Sequence, residues 1–152
     1  MVKLAVNGGE PTVKRPLGKP WPIFDEREEK ALLEVLRSGK WWRGAYEKAE
    51  ESKVGQFEDA FAAYQNAKYG VAVTNGTQAL ECALKAAGVG PGDDVIVPAL
   101  TFVASATAVA LVNAVPVIVD VDPATYNIAP DAIEEAITGK TKAIMPVNNG
   151  GY

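Results

Sequence analysis

The sequence predicts an α/β fold with a mostly parallel sheet, and three observations predict it. Short apolar runs at 71–73 (VAV), 94–98 (DVIVP), 116–120 (PVIVD) and 141–147 (TKAIMPV) alternate with segments of helical period. That alternation is the pattern of βαβ units. The first turn-to-helix transition is sharp: Asn75-Gly76 is a turn dipeptide, after which Leu80, Ala83, Leu84 and Ala87 fall on one helical face. Finally, 152 residues of which 48% are hydrophobic suffice for one domain with a real core.

Taken in order, residues 1–24 form an arm with little regular structure. Gly8, Gly9, Pro11, Pro16, Gly18, Pro20 and Pro22 break any long element. Such an arm either packs on a partner subunit or is a flexible tail. Asp25, with Glu28 three residues on, caps a first helix. Ala31, Leu32, Val35 and Leu36 form its expected buried stripe, and Gly39 its left-handed end. Trp41 and Trp42 cannot both face a core from one regular element. Either one meets a ligand or partner, or both rings cover a surface groove. Residues 45–53 are charged and expected to be mobile. The next helix spans about Val54 to Asn66, with Val54, Phe57, Phe61 and Tyr64 as an expected core stripe.

The segment 71–90 then reads strand, turn, helix, closed by Gly88 and Gly90 ahead of Pro91. Asp94 to Pro98 is a short buried strand. The helix from Val103 to Val112 is apolar nearly all round and is expected to be buried at a subunit or domain interface. Asn113 suits a left-handed cap. A strand follows to Asp120, then a loop holding Asp122, Pro123, Thr125 and Asn127. Pro130 fits the first turn of a helix through Ile137. Thr141 to Val147 is the last strand.

Composition narrows the function. The net charge of -4, from 15 basic and 19 acidic residues, leaves no electrostatic footprint for nucleic acid. No apolar run reaches membrane-spanning length, and the N-terminus has no signal-peptide core, so a cytoplasmic protein is the expectation. The single cysteine, Cys82, excludes an internal disulfide, and its helical position marks it as a packed or surface thiol. There is no histidine. A Ser-His-Asp triad, a Cys-His pair and a His-ligated metal are therefore excluded within this chain.

Ligands of open parallel sheets bind outside the carboxyl ends of the strands. Those ends carry Asn75-Gly76-Thr77, Thr101-Phe102 and Asp120-Val121-Asp122. At Gly76 and Thr77, free backbone amides and the positive end of a helix dipole converge, which suits a phosphate or carboxylate. On these residues alone, capping is the commoner reason for Asn-Gly-Thr at a strand-to-helix turn. Phe102 is either a stacking face for a planar ligand or ordinary core. Neither GxxxxGK[ST] nor GxGxxG occurs, which argues against a generic nucleotide-binding module.

The segments GKPWPIFDEREEKALLEVLRSGKWWRG, FEDAFAAY, VAVTNGTQALECALKAAGVGPGDDVIVPALTFVASATA, PVIVDVDPATYNI and TKAIMPV occur in this order. Together, from about Asn7 to Val147, they resemble the opening of the DegT/DnrJ/EryC1/StrS aminotransferases. These are pyridoxal-phosphate (PLP) enzymes of fold type I. The Trp-Trp-Arg segment and the NGT turn look most like the branch of 3-amino-5-hydroxybenzoate synthase and the scyllo-inosose aminotransferases.

The resemblance implies the N-terminal portion of a large domain with helices on both faces of the sheet. Residues 1–24 are then the arm and 25–152 a partial cofactor-binding domain. It implies that Gly76 and Thr77 hold the cofactor phosphate, that Phe102 stacks on the pyridine ring, and that Trp41, Trp42 and Arg43 border the substrate entrance, either their own or that of the neighbouring subunit. Asp120 and Asp122 match a part of the pattern that looks structural. No catalytic residue is assigned: the Schiff-base lysine and the pyridine-nitrogen aspartate are expected downstream of Tyr152. Two departures stand out. Asn148 replaces a usual histidine before the NNGGY end, and Ala129 stands where an aspartate cap is common.

The implied activity is transfer of an amino group from glutamine or glutamate to a keto-sugar or cyclitol ketone, by a homodimer. A truncated, non-catalytic remnant or partner subunit is the alternative, as is a PLP-dependent sugar dehydratase of the same family. The chain alone is expected to be inactive and poorly soluble, because a sheet cut after a few strands leaves a raw edge.

Overall fold

The computed structural model describes residues 3–15, 17–18 and 21–151. Pro16 and Pro20 of the arm, and Tyr152, lie outside them. The chain divides into two compact units, 1–68 and 69–152.

In the first unit a short 3-10 turn, Ala5–Asn7, is followed by helix α1, Glu26–Ser38. The cap of α1 is the expected one. The Asp25 carboxylate accepts from the Arg27 amide at 2.9 Å, and Glu28 accepts from the Asp25 amide at 2.8 Å. Gly39 closes the helix at φ 66°. The expected buried stripe is not buried. Leu32 and Leu36 are exposed, and Ala31 and Val35 are half-covered.

Within residues 43–52 the backbone makes regular turns, the two 3-10 turns Arg43–Ala45 and Ala49–Glu51. The second is tied down by Ser52, which is buried, donates to the Ala49 carbonyl at 2.7 Å and accepts from the Gly55 amide at 2.9 Å. That second bond caps α2, Lys53–Tyr64. A Cβ on Gly55 would stand 2.0 Å from the Ala49 carbonyl oxygen, so only glycine lets the turn lie on the helix. The aromatic stripe of α2 is not core: Val54, Phe57, Phe61 and Tyr64 are exposed. The inward face is instead Gly55, Glu58 and Ala62. Helical period sets which residues share a face, while the packed turn at 43–51 sets which face is covered.

The second unit contains α3 (Gly76–Ala86), β1 (Asp94–Pro98), α4 (Ala104–Leu111), β2 (Val115–Val119), α5 (Pro130–Ala136) and β3 (Thr141–Ile144). The three strands form one sheet in the order β2-β1-β3, with both pairings parallel. Val71 to Val73, expected as a strand, joins none of the three; a strand exists only through a neighbour's ladder, and none of these strands pairs with it.

Val95 and Val97 on β1 are fully buried and cluster with Leu84 of α3, Ala108 and Val109 of α4, and Val112. Ile96, equally buried, points to the opposite face. The covering of α4 is one-sided: Ala104, Ser105, Ala108 and Val109 are buried, whereas Thr107 and Leu111 are exposed. Asn113 takes the left-handed conformation at φ 62°, as expected. Pro130 opens α5, and Ala129 before it makes no side-chain cap.

Candidate functional site

The amino end of α3 is built by its own short side chains. The Asn75 carbonyl oxygen of the side chain accepts from the Gln78 amide at 3.0 Å. Asn75 Nδ2 donates to Thr74 Oγ1 at 3.1 Å, and the Thr74 hydroxyl donates to Gln78 Oε1. This consumes the third amide of the helix and leaves the first two. Among the described residues, the amides of Gly76 and Thr77 donate to no protein acceptor. A Cβ placed on Gly76 would meet no atom within 4 Å. The first turn of α3 carries no acidic residue, whereas α1 fills its own positive end with Glu26, Glu28 and Glu29. The amino end of α3 is therefore an uncompensated partial positive charge with two free donors and a clear approach.

The topology places that end at the carboxyl edge of the sheet. Gly88, just beyond α3, lies beside Lys142 near the start of β3: its Cβ would stand 3.7 Å from Lys142 Cε. The carboxyl end of α3 is thus at the edge where strands begin, and its amino end points to the edge where they finish. Phe102 follows β1 at that edge. Its turn is held by a hydrogen bond from the Ala99 amide to the Val119 carbonyl (2.8 Å) and one from the Ser105 amide to the Phe102 carbonyl (3.0 Å). Beneath it the Thr101 and Ser105 hydroxyls pair at 2.7 Å, with Ser105 buried. The Phe102 ring itself is 77% exposed, so it is a presented ring rather than core.

Asp120 and Asp122 follow β2. Asp120 accepts from the Val121 amide at 2.7 Å. Asp122 Oδ1 accepts from the Ala124 and Thr125 amides at 2.8 and 2.9 Å, and these bonds hold its carboxyl below the usual range, the Thr125 amide contributing most. Both carboxylates are thus spent on shaping the turn.

Trp41, Trp42 and Arg43 belong to the other unit. Trp41 and Trp42 are 70% and 69% exposed. Trp41 Nε1 donates to the Leu36 carbonyl at 3.2 Å, and Arg43 Nε meets Glu58 Oε2 at 3.2 Å. Cys82 is an exposed thiol on α3. No cluster of metal-ligating side chains exists among the described residues.

The cap at Asn75 is legible in the sequence, since Asn followed three residues later by Gln is a capping pattern. The other supporting residue is not. Glu58 has no motif, and its burial is visible only once the turn at 43–45 is folded.

The chain matches the model of the DegT/DnrJ/EryC1/StrS aminotransferase family over residues 22–152. It is 48% identical over 138 residues to 3-amino-5-hydroxybenzoate synthase of Amycolatopsis mediterranei, covering 91% of this chain and 34% of that one. It is 47% identical over 145 residues to L-glutamine:scyllo-inosose aminotransferase of Streptomyces griseus, covering 95% and 34%. The chain thus spans about a third of the length of these curated relatives. The crystal structure of a 3-amino-5-hydroxybenzoic acid synthase superposes with a TM-score of 0.81 at 49% identity, over 89% of this chain and 34% of that one. A putative sugar aminotransferase from Streptococcus pneumoniae, solved in its PMP-form, superposes with a TM-score of 0.73 at 38% identity, over 82% and 30%. With the family model matching most of its residues and the same fold in these relatives, the chain belongs to the DegT/DnrJ/EryC1/StrS aminotransferase family, whose cofactor is pyridoxal 5′-phosphate.

Proposed function

We propose that the protein transfers an amino group from glutamine or glutamate to the ketone of a cyclitol or keto-sugar, with pyridoxal phosphate as the carrier. The observation that carries this reading is the open amino end of α3. Two free amides, the Thr77 hydroxyl and the empty space above Gly76 fit a phosphate dianion. The bound cofactor supplies an electron-withdrawing ring through which the amino group passes from donor to acceptor.

This chain's own residues bind and orient. Gly76 and Thr77 anchor the phosphate, and Phe102, on its pinned turn, offers a face for the ring. Trp41, Trp42 and Arg43 border the substrate entrance. The lysine that joins the cofactor and the aspartate that partners its ring nitrogen are assigned to the two-thirds of the relatives' length that this chain does not span. In the same reading residues 1–24 are the arm of a cytoplasmic homodimer, and 25–152 the first part of its large domain. The relatives' names support glutamine as donor and a cyclitol ketone as acceptor.

The test is made on the full polypeptide. It is loaded with pyridoxal phosphate, reduced with borohydride and weighed intact, and in parallel given 15N-labelled L-glutamine and scyllo-inosose. One cofactor adduct per chain and label in the cyclitol are expected. A protein that takes no adduct and moves no label overturns the reading.

A further inference from the structure

Helix α2 buries one carboxylate. Glu58 faces inward while Phe57 and Phe61, stacked with centroids 5.5 Å apart, face outward. A buried carboxylate is costly unless paired and hydrogen-bonded. Arg43 is one of its partners, and the pair is lopsided: the Glu58 side chain is 8% exposed and that of Arg43 is 55% exposed. The buried end is the anchor and the open end is the guanidinium. The approach is through Nε at 3.2 Å. A guanidinium held on its Nε side keeps its Nη edge for a second anion, and that edge matches a carboxylate with two parallel bonds.

The neighbours of Arg43 are fixed in the same manner. Trp41 is tied by its indole N–H to Leu36. The Trp42 ring lies down on the next-but-one residue, since a Cβ on Gly44 would stand 2.1 Å from its Cζ3. Tyr46 donates its hydroxyl to the Lys40 carbonyl at 3.1 Å, and Lys40 Nζ sits 5.0 Å from the Tyr46 ring centroid. Three consecutive large side chains are thus open to solvent and yet individually held. Anchoring the 43–45 turn to α2 would need only a neutral hydrogen bond. Holding a cation and two aromatic rings still while they remain exposed lowers the ordering cost of binding a ligand there.

We propose that Glu58 is a positioning residue that holds Arg43 so that its Nη groups clamp a carboxylate at the substrate entrance. This rests on the reading of residues 41–43 as the entrance loop. The carboxylate comes either from the amino-acid donor or from an acidic ring substrate, and the chemistry of recognition is the same.

The experiment uses the full-length holoenzyme with two probes: L-glutamine, through its apparent KM in the first half-reaction, and 3-amino-5-hydroxybenzoate, a ring carboxylate, through its Kd. The variants are Glu58→Gln, which keeps the shape but drops the charge, and Arg43→Lys, which keeps the ion pair but loses the fork. Both are expected to weaken the same probe by about tenfold with kcat nearly unchanged. Loss for glutamine places the donor on Arg43, and loss for the benzoate places the ring substrate there. For that probe the double variant is expected to be no worse than Arg43→Lys alone, because the effect of Glu58 on the bound carboxylate runs through Arg43. Variants that handle both probes as the wild type does, with Glu58→Gln merely melting earlier, overturn the inference and leave a structural ion pair. A wild type that responds to neither probe overturns the functional reading and this inference with it.

Discussion

Gly76 and Gly44 both matter through the Cβ they lack, for opposite reasons. At Gly76 the space is empty of protein, and at Gly44 it is filled by the Trp42 ring. Alanine at 76 is therefore compatible with the helix and is a better helix former than glycine. Gly76→Ala is expected to leave thermal stability intact while weakening pyridoxal phosphate binding about tenfold, by blocking close approach to the amides. Equilibrium dialysis beside a thermal melt checks both halves. Gly44→Ala must instead displace the Trp42 indole. Because that ring is on the surface, stability should change by less than about 1 kcal/mol, while tryptophan emission shifts as the ring loses its contact with the backbone at Gly44. Asp122 supplies a pH signature. Its carboxyl is held low by the Thr125 and Ala124 amides, so the unfolded state binds its proton more readily. Its contribution to stability is present above the ordinary aspartate range and is lost as pH falls through the lower folded value. Asp122→Asn, still an acceptor but without charge, should flatten that part of the acid limb in pH-dependent denaturant melts.

Elements differ in how much of them a local signal decides. The capping box at Asp25 and Glu28, the left-handed ends at Gly39 and Asn113, and Pro130 at the start of α5 all follow from a residue's own backbone preferences, and all are legible in the sequence. So is the amino end of α3, since Asn-Gly-Thr before a helical stripe fixes where the helix starts. The burial of α1 and of the aromatic face of α2 was not legible, because period identifies a face and only a neighbour covers it. The strand expected at 71–73 failed for the same reason. Glu58 was hidden more deeply, since its role needs a folded turn from another stretch of chain. The uncapped start of α5 follows from the local signal alone. Ala129 precedes Pro130 in extended backbone, φ -75° and ψ 123°, with no side-chain acceptor for the amides that follow. Ala129→Ser is expected to stabilise the protein by about 1 kcal/mol, read as a higher denaturant midpoint with unchanged m-value.

At the scale of the whole chain, apolar surface is distributed in a way that a self-sufficient domain of this size would not tolerate. Leu32, Leu33 and Leu36 line α1, Phe57 and Phe61 line α2, and Val115 and Ile118 stand exposed on β2. That strand and β3 are the two edges of a three-stranded parallel sheet, and parallel sheets are normally covered on both faces. On α1 and α2 these large side chains adjoin one another, beyond the scattered single residues that any surface carries, and on β2 Val115 and Ile118 leave both faces of the strand open. The fully buried side chains are few: Val95, Ile96, Val97, Val109 and Val112 head the set, all in the second unit. The 152-residue chain produced alone should therefore bind a hydrophobic dye strongly, sediment as a mixture of associated species, and melt over a broad range. On the proposed reading of the chain as the first part of a large domain, the longer polypeptide should bind little dye and melt cooperatively. The contrast is informative in its details: amide exchange in the isolated chain should be slowest in β1, where the core residues sit, and fast in α1, whose apolar stripe has no cover. A chain that is monodisperse, dye-silent and sharply cooperative by itself would show that the second unit's small core suffices, and that the exposed faces of α1 and α2 cost the fold nothing.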